Sequence, residues 1–144
     1  MEKQKYAAIV LAAGSGKRMN SQVHKQYLII QDRPVLYYSL KEFEDSAVDE
    51  IVLVVGKGEE EFCRREIVDK YGISKVKAIV EGGKERYHSV FEGLKQTSDA
   101  DYVLIHDGAR PFVNQDIIRR CMLEVPEYQA CVVGMPVKDT IKIA

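Results

Sequence analysis

Tryptophan is absent from the 144 residues, and cysteine, methionine, phenylalanine and proline occur only three or four times each. The three cysteines, Cys63, Cys121 and Cys131, are odd in number and form no CxxC pair, which argues against a disulfide framework and a zinc site. They read as reduced packing residues of a cytoplasmic protein. His24, His88 and His106 lack metal-ligand spacing, and His106 reads as a hydrogen-bonded core residue. No run approaches the roughly 18 apolar residues of a membrane span, and the N-terminus carries no signal-peptide pattern. Charge of one sign is lacking too: 21 Lys and Arg face 22 Asp and Glu, for a net charge of -1. Nucleic-acid partners, which call for a marked basic excess, are not expected. No repeat or low-complexity linker interrupts the chain. What is present, 46% hydrophobic residues in one domain's length, suffices for one core.

Short runs rich in Val and Ile predict strands over 6–12, 50–55, 76–81, 102–106 and 130–135. Helical patterns lie between them. Pro34 suits a first helical position ahead of Leu36, Leu40 and Phe43; Tyr87, Val90, Phe91 and Leu94 recur at three and four residues. Ile117, Ile118, Cys121, Met122 and Val125 form a stripe behind an Asn114 cap. A weaker helix spans 59–71 and ends at Gly72, with Glu59, Glu60 and Glu61 as its exposed start. Strands and helices alternating in this way predict an α/β fold, a doubly wound and mostly parallel sheet. With strand order 3-2-1-4-5, winding reverses between the first and fourth strands, and a ligand binds at their carboxyl ends.

The first strand runs into Leu11-Ala12-Ala13-Gly14-Ser15-Gly16-Lys17-Arg18-Met19, followed by Lys25. Glycines admit left-handed angles and let backbone N–H groups face an anion, while Lys17, Arg18 and Lys25 add full charge. A nucleotide or sugar phosphate is the expected ligand. A Walker loop would need Gly at position 11 and Ser or Thr at 18, where Leu11 and Arg18 stand. A dinucleotide fingerprint would need Gly or Ala at Met19 and an acid closing the second strand, where Val54-Val55-Gly56-Lys57 stands. Lys25 stands seven residues past Arg18, too far for one nest, so the two cations are expected to grip separate phosphates.

The fourth strand ends in His106-Asp107-Gly108-Ala109-Arg110, which the topology brings opposite that loop. A carboxylate beside phosphates calls for an intervening cation, and Mg²⁺ is usually held by one or two carboxylates plus substrate phosphates. Asp107 is therefore assigned to Mg²⁺, although Asp-Gly alone is more often a plain turn. The loop Glu81-Gly82-Gly83-Lys84-Glu85-Arg86-Tyr87-His88-Ser89 offers close backbone approach to a flat ring and a hydroxyl at a base edge. Arg86 either orients this loop or pairs with Glu85 or Glu81.

The segments LAAGSGKRM, HKQYL, EGGKERYHSV, HDGARPFV and PVKDTIK resemble, in order and spacing, the 2-C-methyl-D-erythritol 4-phosphate cytidylyltransferase family of the non-mevalonate isoprenoid pathway. The resemblance implies a Rossmann-like nucleotidyltransferase fold and transfer of CMP from CTP to methylerythritol phosphate, with Mg²⁺ and in a homodimer. It implies Arg18 and Lys25 as transition-state stabilisers, and Ala12, Ala13, Gly14, Ser15, Gly16, Gly82, Gly83 and Ser89 as CTP contacts. Asp107 and Gly108 would lie near ribose and metal, and Arg110 and Thr140 on the methylerythritol phosphate side. Family members continue beyond PVKDTIK through a protruding dimerisation arm, so residues 1–144 are expected to be a single nucleotidyltransferase domain cut where that arm begins. A ribitol-5-phosphate cytidylyltransferase, a nucleotide-binding module inactive as truncated, and a sugar nucleotidyltransferase using UTP are the competing readings.

Overall fold

The computed structural model of the protein describes residues 3–14 and 24–134. Four strands form one parallel sheet: β1 (Tyr6–Ala12), β4 (Glu50–Val55), β5 (Val76–Glu81) and β6 (Tyr102–Asp107). Two short antiparallel strands, β2 (Ile29–Ile30) and β3 (Arg33–Pro34), form a hairpin whose turn places Gln31 and Asp32 at φ 50° and 71°. The large sheet runs β5-β4-β1-β6. From β1 the chain winds outward through β4 to β5, then returns to the opposite side of β1 as β6, so the expected reversal lies between β1 and β6.

The central strands are buried because both faces are covered. Ala7 through Val10 and Ile51 through Val55 are 0% exposed, and continuous apolar runs of this kind are the mark of two-sided cover. Even-numbered β1 residues Ala8, Val10 and Ala12 meet α1 (Val35–Glu44), α2 (Glu60–Cys63) and α4 (Gln115–Tyr128). On the other face Ile9 and Leu11 meet Val90 of α3 (Arg86–Lys95). Leu36, Leu40 and Phe43 of α1 are at most 2% exposed, each contributing roughly 1.5–3 kcal/mol by leaving water.

Local signals behave as their chemistry requires. Asn114 Oδ1 accepts from the Ile117 N–H at 2.9 Å, capping α4. Gly72, at φ 66°, stops the helical run that begins at α2 and widens into π-type turns over Arg64–Asp69. Pro34 stands one place earlier than expected, as the extended residue before α1 rather than within it.

Three expectations need correction. No strand forms over residues 130–134: α4 ends at left-handed Gln129 (φ 67°) and the chain leaves the sheet, with Val132 94% exposed. An apolar run without a neighbouring ladder is not a strand; Met135 lies outside the described residues. The stripe on α3 is not its packing side, since Tyr87, Phe91 and Leu94 are exposed while Ser89 and Gly93 are buried. Small residues let α3 sit close to the sheet, where a Cβ on Gly93 would come within 2.7 Å of Ile9 Cγ2. Finally, Cys63 is a packing residue but Cys131 is exposed.

Candidate active site

At the carboxyl ends of β1 and β6, where Leu11 pairs in register with Asp107, the sheet opens into a cleft of about 350 Å³. Ala12, Ala13 and Gly14 form its floor, Lys25 one wall, Gly83 and Ser89 a second, Asp107 and Arg110 a third. Four segments far apart in the chain thus meet where the topology predicts. A larger, more open cleft of about 470 Å³ lies beyond Gly82 and Gly83, but Glu60, Glu81 and Glu92 line it. Three carboxylates repel phosphates, so the smaller, cationic cleft is the candidate site.

Ser15, Gly16, Lys17, Arg18 and Thr140 lie outside the described residues. Gly14 does not adopt the left-handed backbone expected of it; among the described residues a Cβ there would meet nothing within 4 Å. Gly82 and Gly108 lie beside the cleft rather than on its lining. A Cβ on Gly82 would come within 2.6 Å of the Ala13 Cβ and also strike Ser89 Oγ, so this glycine lets two loops touch. Ser89 is 4% exposed, and its Oγ accepts from the Gly83 N–H at 3.3 Å, shaping that loop. Glu85 precedes α3 and shares a capping box with His88, its N–H donating to His88 Nδ1 at 3.2 Å.

The loop after β6 is held by its own backbone. The Gly108 N–H donates to the Leu11 carbonyl at 2.7 Å, and the Arg110 carbonyl accepts from His106 Nε2 at 2.9 Å and from Ser39 Oγ at 3.0 Å. Burial pulls the His106 imidazole below its ordinary pKa, against the opposing pull of the Arg110 carbonyl. His106 is thus the hydrogen-bonded residue expected.

Asp107 is flanked by two guanidiniums, Arg86 Nη2 at 3.2 Å from Oδ1 and Arg110 Nε at 3.3 Å from Oδ2. Arg86 therefore reaches across to the fourth-strand loop instead of pairing with Glu81 or Glu85. Among the described residues no group of three or more His, Cys, Asp or Glu side chains forms a metal cage. One carboxylate would suit a magnesium ion that took most of its other ligands from bound phosphates and water. The guanidiniums, 63% and 78% exposed, are free to turn to those same phosphates.

Two neighbours of the Lys25 wall escaped the sequence reading. Gln26, 3% exposed, donates from Nε2 to the carbonyls of Ala12 at 2.8 Å and Gly14 at 3.1 Å. Glu59, expected at an exposed helix start, instead accepts from the Tyr27 hydroxyl at 2.6 Å and lies 2.9 Å from His24 Nδ1. Burial, reinforced by the Cys63 thiol and the Glu59 carboxylate, pushes the Tyr27 phenol far above its ordinary pKa. Only the position of Gln26 beside Lys25 hinted at its role; for Glu59 the sequence carried no signal.

The chain is similar to known proteins over nearly its whole length. It is 54% identical over 98% of its length to 2-C-methyl-D-erythritol 4-phosphate cytidylyltransferase of Lachnoclostridium phytofermentans, and 55% identical over 95% to that of Lachnospira eligens. It spans 60% of the length of each of these curated relatives. The crystal structure of 4-diphosphocytidyl-2C-methyl-D-erythritol synthase from Anaerococcus prevotii superposes with a TM-score of 0.81 at 31% identity, covering 97% of this chain and 59% of that one. The profile of one family matches residues 6–144, and with the parallel sheet and the cationic cleft at its carboxyl edge this places the chain in the 2-C-methyl-D-erythritol 4-phosphate cytidylyltransferase family.

Proposed function

We propose that the protein transfers CMP from CTP to the 4-phosphate of 2-C-methyl-D-erythritol, releasing pyrophosphate, as a Mg²⁺-dependent, cytoplasmic, homodimeric enzyme of isoprenoid precursor synthesis. The observation that carries this reading is the convergence of Ala12–Gly14, Lys25, Gly83, Ser89, Asp107 and Arg110 on one cleft. Family membership supplies the substrates.

The chemistry asks little of the protein in proton transfer. The attacking group is a phosphate oxygen, largely ionised near neutral pH because its second pKa is about 6, so no general base is needed. Catalysis then rests on alignment and on charge. Lys25 stands on the cleft wall to meet charge growing on the α-phosphate oxygens, and Arg18 is assigned the same task on a separate phosphate. Gly83 and its neighbours offer backbone groups to the cytosine edge, with Ser89 behind them. Arg110 is assigned to the incoming methylerythritol phosphate, joined by Thr140, which is assigned to the neighbouring subunit's site. Asp107 would hold Mg²⁺ together with the triphosphate; when bound, the ion neutralises charge on the phosphates and the leaving pyrophosphate. Ser15 and Gly16 complete the nucleotide contacts, with Gly82 and Gly108 supporting them from beside the cleft.

Pyrophosphate release from CTP tests the reading. Release with methylerythritol phosphate but not ribitol 5-phosphate is the expected result. CTP binding without release would point to a nucleotide-holding module, and stronger thermal stabilisation by UTP than by CTP would remove the cytidylyl assignment.

A further inference from the structure

We infer that Lys25 is aimed by a two-sided brace, in which Gln26 ties its segment to the phosphate loop and Glu59 ties the same segment to the start of α2. The inference rests on the reading of Lys25 as a phosphate-gripping cation. Lys25 opens a single 3-10 turn, Lys25–Tyr27. Such a turn has little stability of its own, with one internal backbone hydrogen bond for each residue ordered at best. Here the Tyr27 N–H donates to the His24 carbonyl at 2.9 Å and the Leu28 N–H to the Lys25 carbonyl at a long 3.3 Å. A four-carbon ammonium on so short a turn needs outside support if its charge is to meet one phosphate oxygen.

Support comes from both flanks. Gln26 is buried, and its amide nitrogen serves two carbonyls, those of Ala12 and Gly14, on the limb of the loop that the phosphates are proposed to touch. A trans peptide sets its N–H opposite its C=O, so pinning the Ala12 carbonyl to Gln26 directs the Ala13 N–H away from it. One side chain thereby sets both the loop's orientation and the place of Lys25 next to it. On the far flank the Glu59 carboxylate, 20% exposed, engages residues on either side of Lys25: His24 at 2.9 Å and the Tyr27 hydroxyl at 2.6 Å. Its Oε2 also accepts from the Gly56 N–H at 3.3 Å, which fixes the carboxylate to the end of β4. Neither Gln26 nor Glu59 touches the proposed reacting atoms; both are positioning residues.

A double-mutant cycle on CTP binding, read by calorimetry with Mg²⁺, separates positioning from plain stability. Gln26→Leu and Glu59→Ala are each expected to weaken CTP about tenfold with Lys25 present, as misplacement of a binding group does. In a Lys25→Ala background the same changes are expected to cost less than about twofold, because the group they aim is gone. Glu59→Gln, which keeps an acceptor for Tyr27 and offers an amide N–H to His24 Nδ1 in its other tautomer, should restore near wild-type affinity. Equal losses in both backgrounds, or no loss with Lys25 present, would overturn the brace. If Gln26→Leu fails to fold, Tyr27→Phe removes only the hydroxyl bound to Glu59, and absence of coupling to Lys25 there is equally fatal. Should Lys25→Ala leave CTP affinity unchanged, the phosphate reading of Lys25 falls and the brace with it; a loss in Lys25→Ala without coupling sinks the brace alone.

Discussion

On one side of the cleft, Gln26 at 3% exposure fixes the Lys25 segment through two neutral hydrogen bonds. On the other, Asp107 is flanked by guanidiniums that are 63% and 78% exposed. Buried hydrogen bonds are costly to leave unmade, so the first arrangement resists change. Exposed ion pairs are worth about 0–1 kcal/mol, are screened by salt, and exchange with any better partner. The Lys25 wall is therefore the fixed side of the cleft. The Asp107 wall is the exchangeable one: under the proposed function Asp107 would trade guanidinium for metal, and the guanidiniums would trade carboxylate for phosphate.

The sharpest way to break this contrast is to remove the cations assigned to the phosphates. Arg18→Ala is expected to cost roughly 10³-fold or more in turnover, by analogy with arginines that stabilise phosphoryl transfer, and Lys25→Ala a comparable amount. Single-turnover rates at saturating CTP would measure it; near wild-type rates with CTP still bound would remove both from the catalytic role. On the exchangeable wall the expected loss is smaller. Asp107→Asn keeps the shape and deletes the charge, and should raise the Mg²⁺ needed for half-maximal CTP binding by about 10–100-fold. Arg86→Ala, which frees one carboxylate oxygen, should move that requirement the opposite way and by less. If Asp107→Asn leaves the Mg²⁺ requirement untouched, the assignment of the metal to this residue is wrong.

Gly82 tests how tightly the loops beside these walls are joined. Gly82→Ala would force its Cβ against Ala13 and Ser89 and should destabilise the fold by about 1–3 kcal/mol, as overpacking does. Gly14→Ala, whose Cβ would meet none of the described residues, should cost little stability while still hindering the triphosphate. Thermal unfolding and CTP titration of both variants would distinguish the two; equal stabilities would show that the loops part easily.

What could be read in advance follows the same division. β1 and β4 were legible because each is dominated by Val, Ile, Leu and Ala, Asp107 because a charge at a strand end stands out against such runs, and Lys25 because it follows a loop rich in glycine and cations. The side of α3 that packs was not, since Ser89 and Gly93 carry no hydrophobic signal and act through closeness. Val132 and Val133 misled for the converse reason: an apolar pair is visible in the sequence, whereas the neighbouring strand it needs is not. Gln26 and Glu59 were out of reach because their work lies in contacts between residues 12–35 positions apart, which no local pattern encodes.

The smallest expected effect lies beneath the fixed wall. Cys63 is 0% exposed, 3.1 Å from the Tyr27 hydroxyl, and burial pushes its thiol up to about 11, although the Tyr27 hydrogen bond pulls it down. At pH 8 about one Cys63 in a thousand is thiolate, the reactive form. Cys131, being exposed, should therefore react with a disulfide reagent at once, and Cys63 only as fast as the chain opens. A raised thiol pKa also means that between the ordinary value of 9.0 and about 11 the folded chain keeps a proton the unfolded chain has lost. The stability this confers is whole below pH 9 and drains away as pH rises through 11, so the urea midpoint should fall across that window, and fall less in Cys63→Val. Rapid labelling of Cys63 in the folded chain at pH 8 would mean that the Lys25 wall opens readily, and that the difference between the two sides of the cleft is one of degree only.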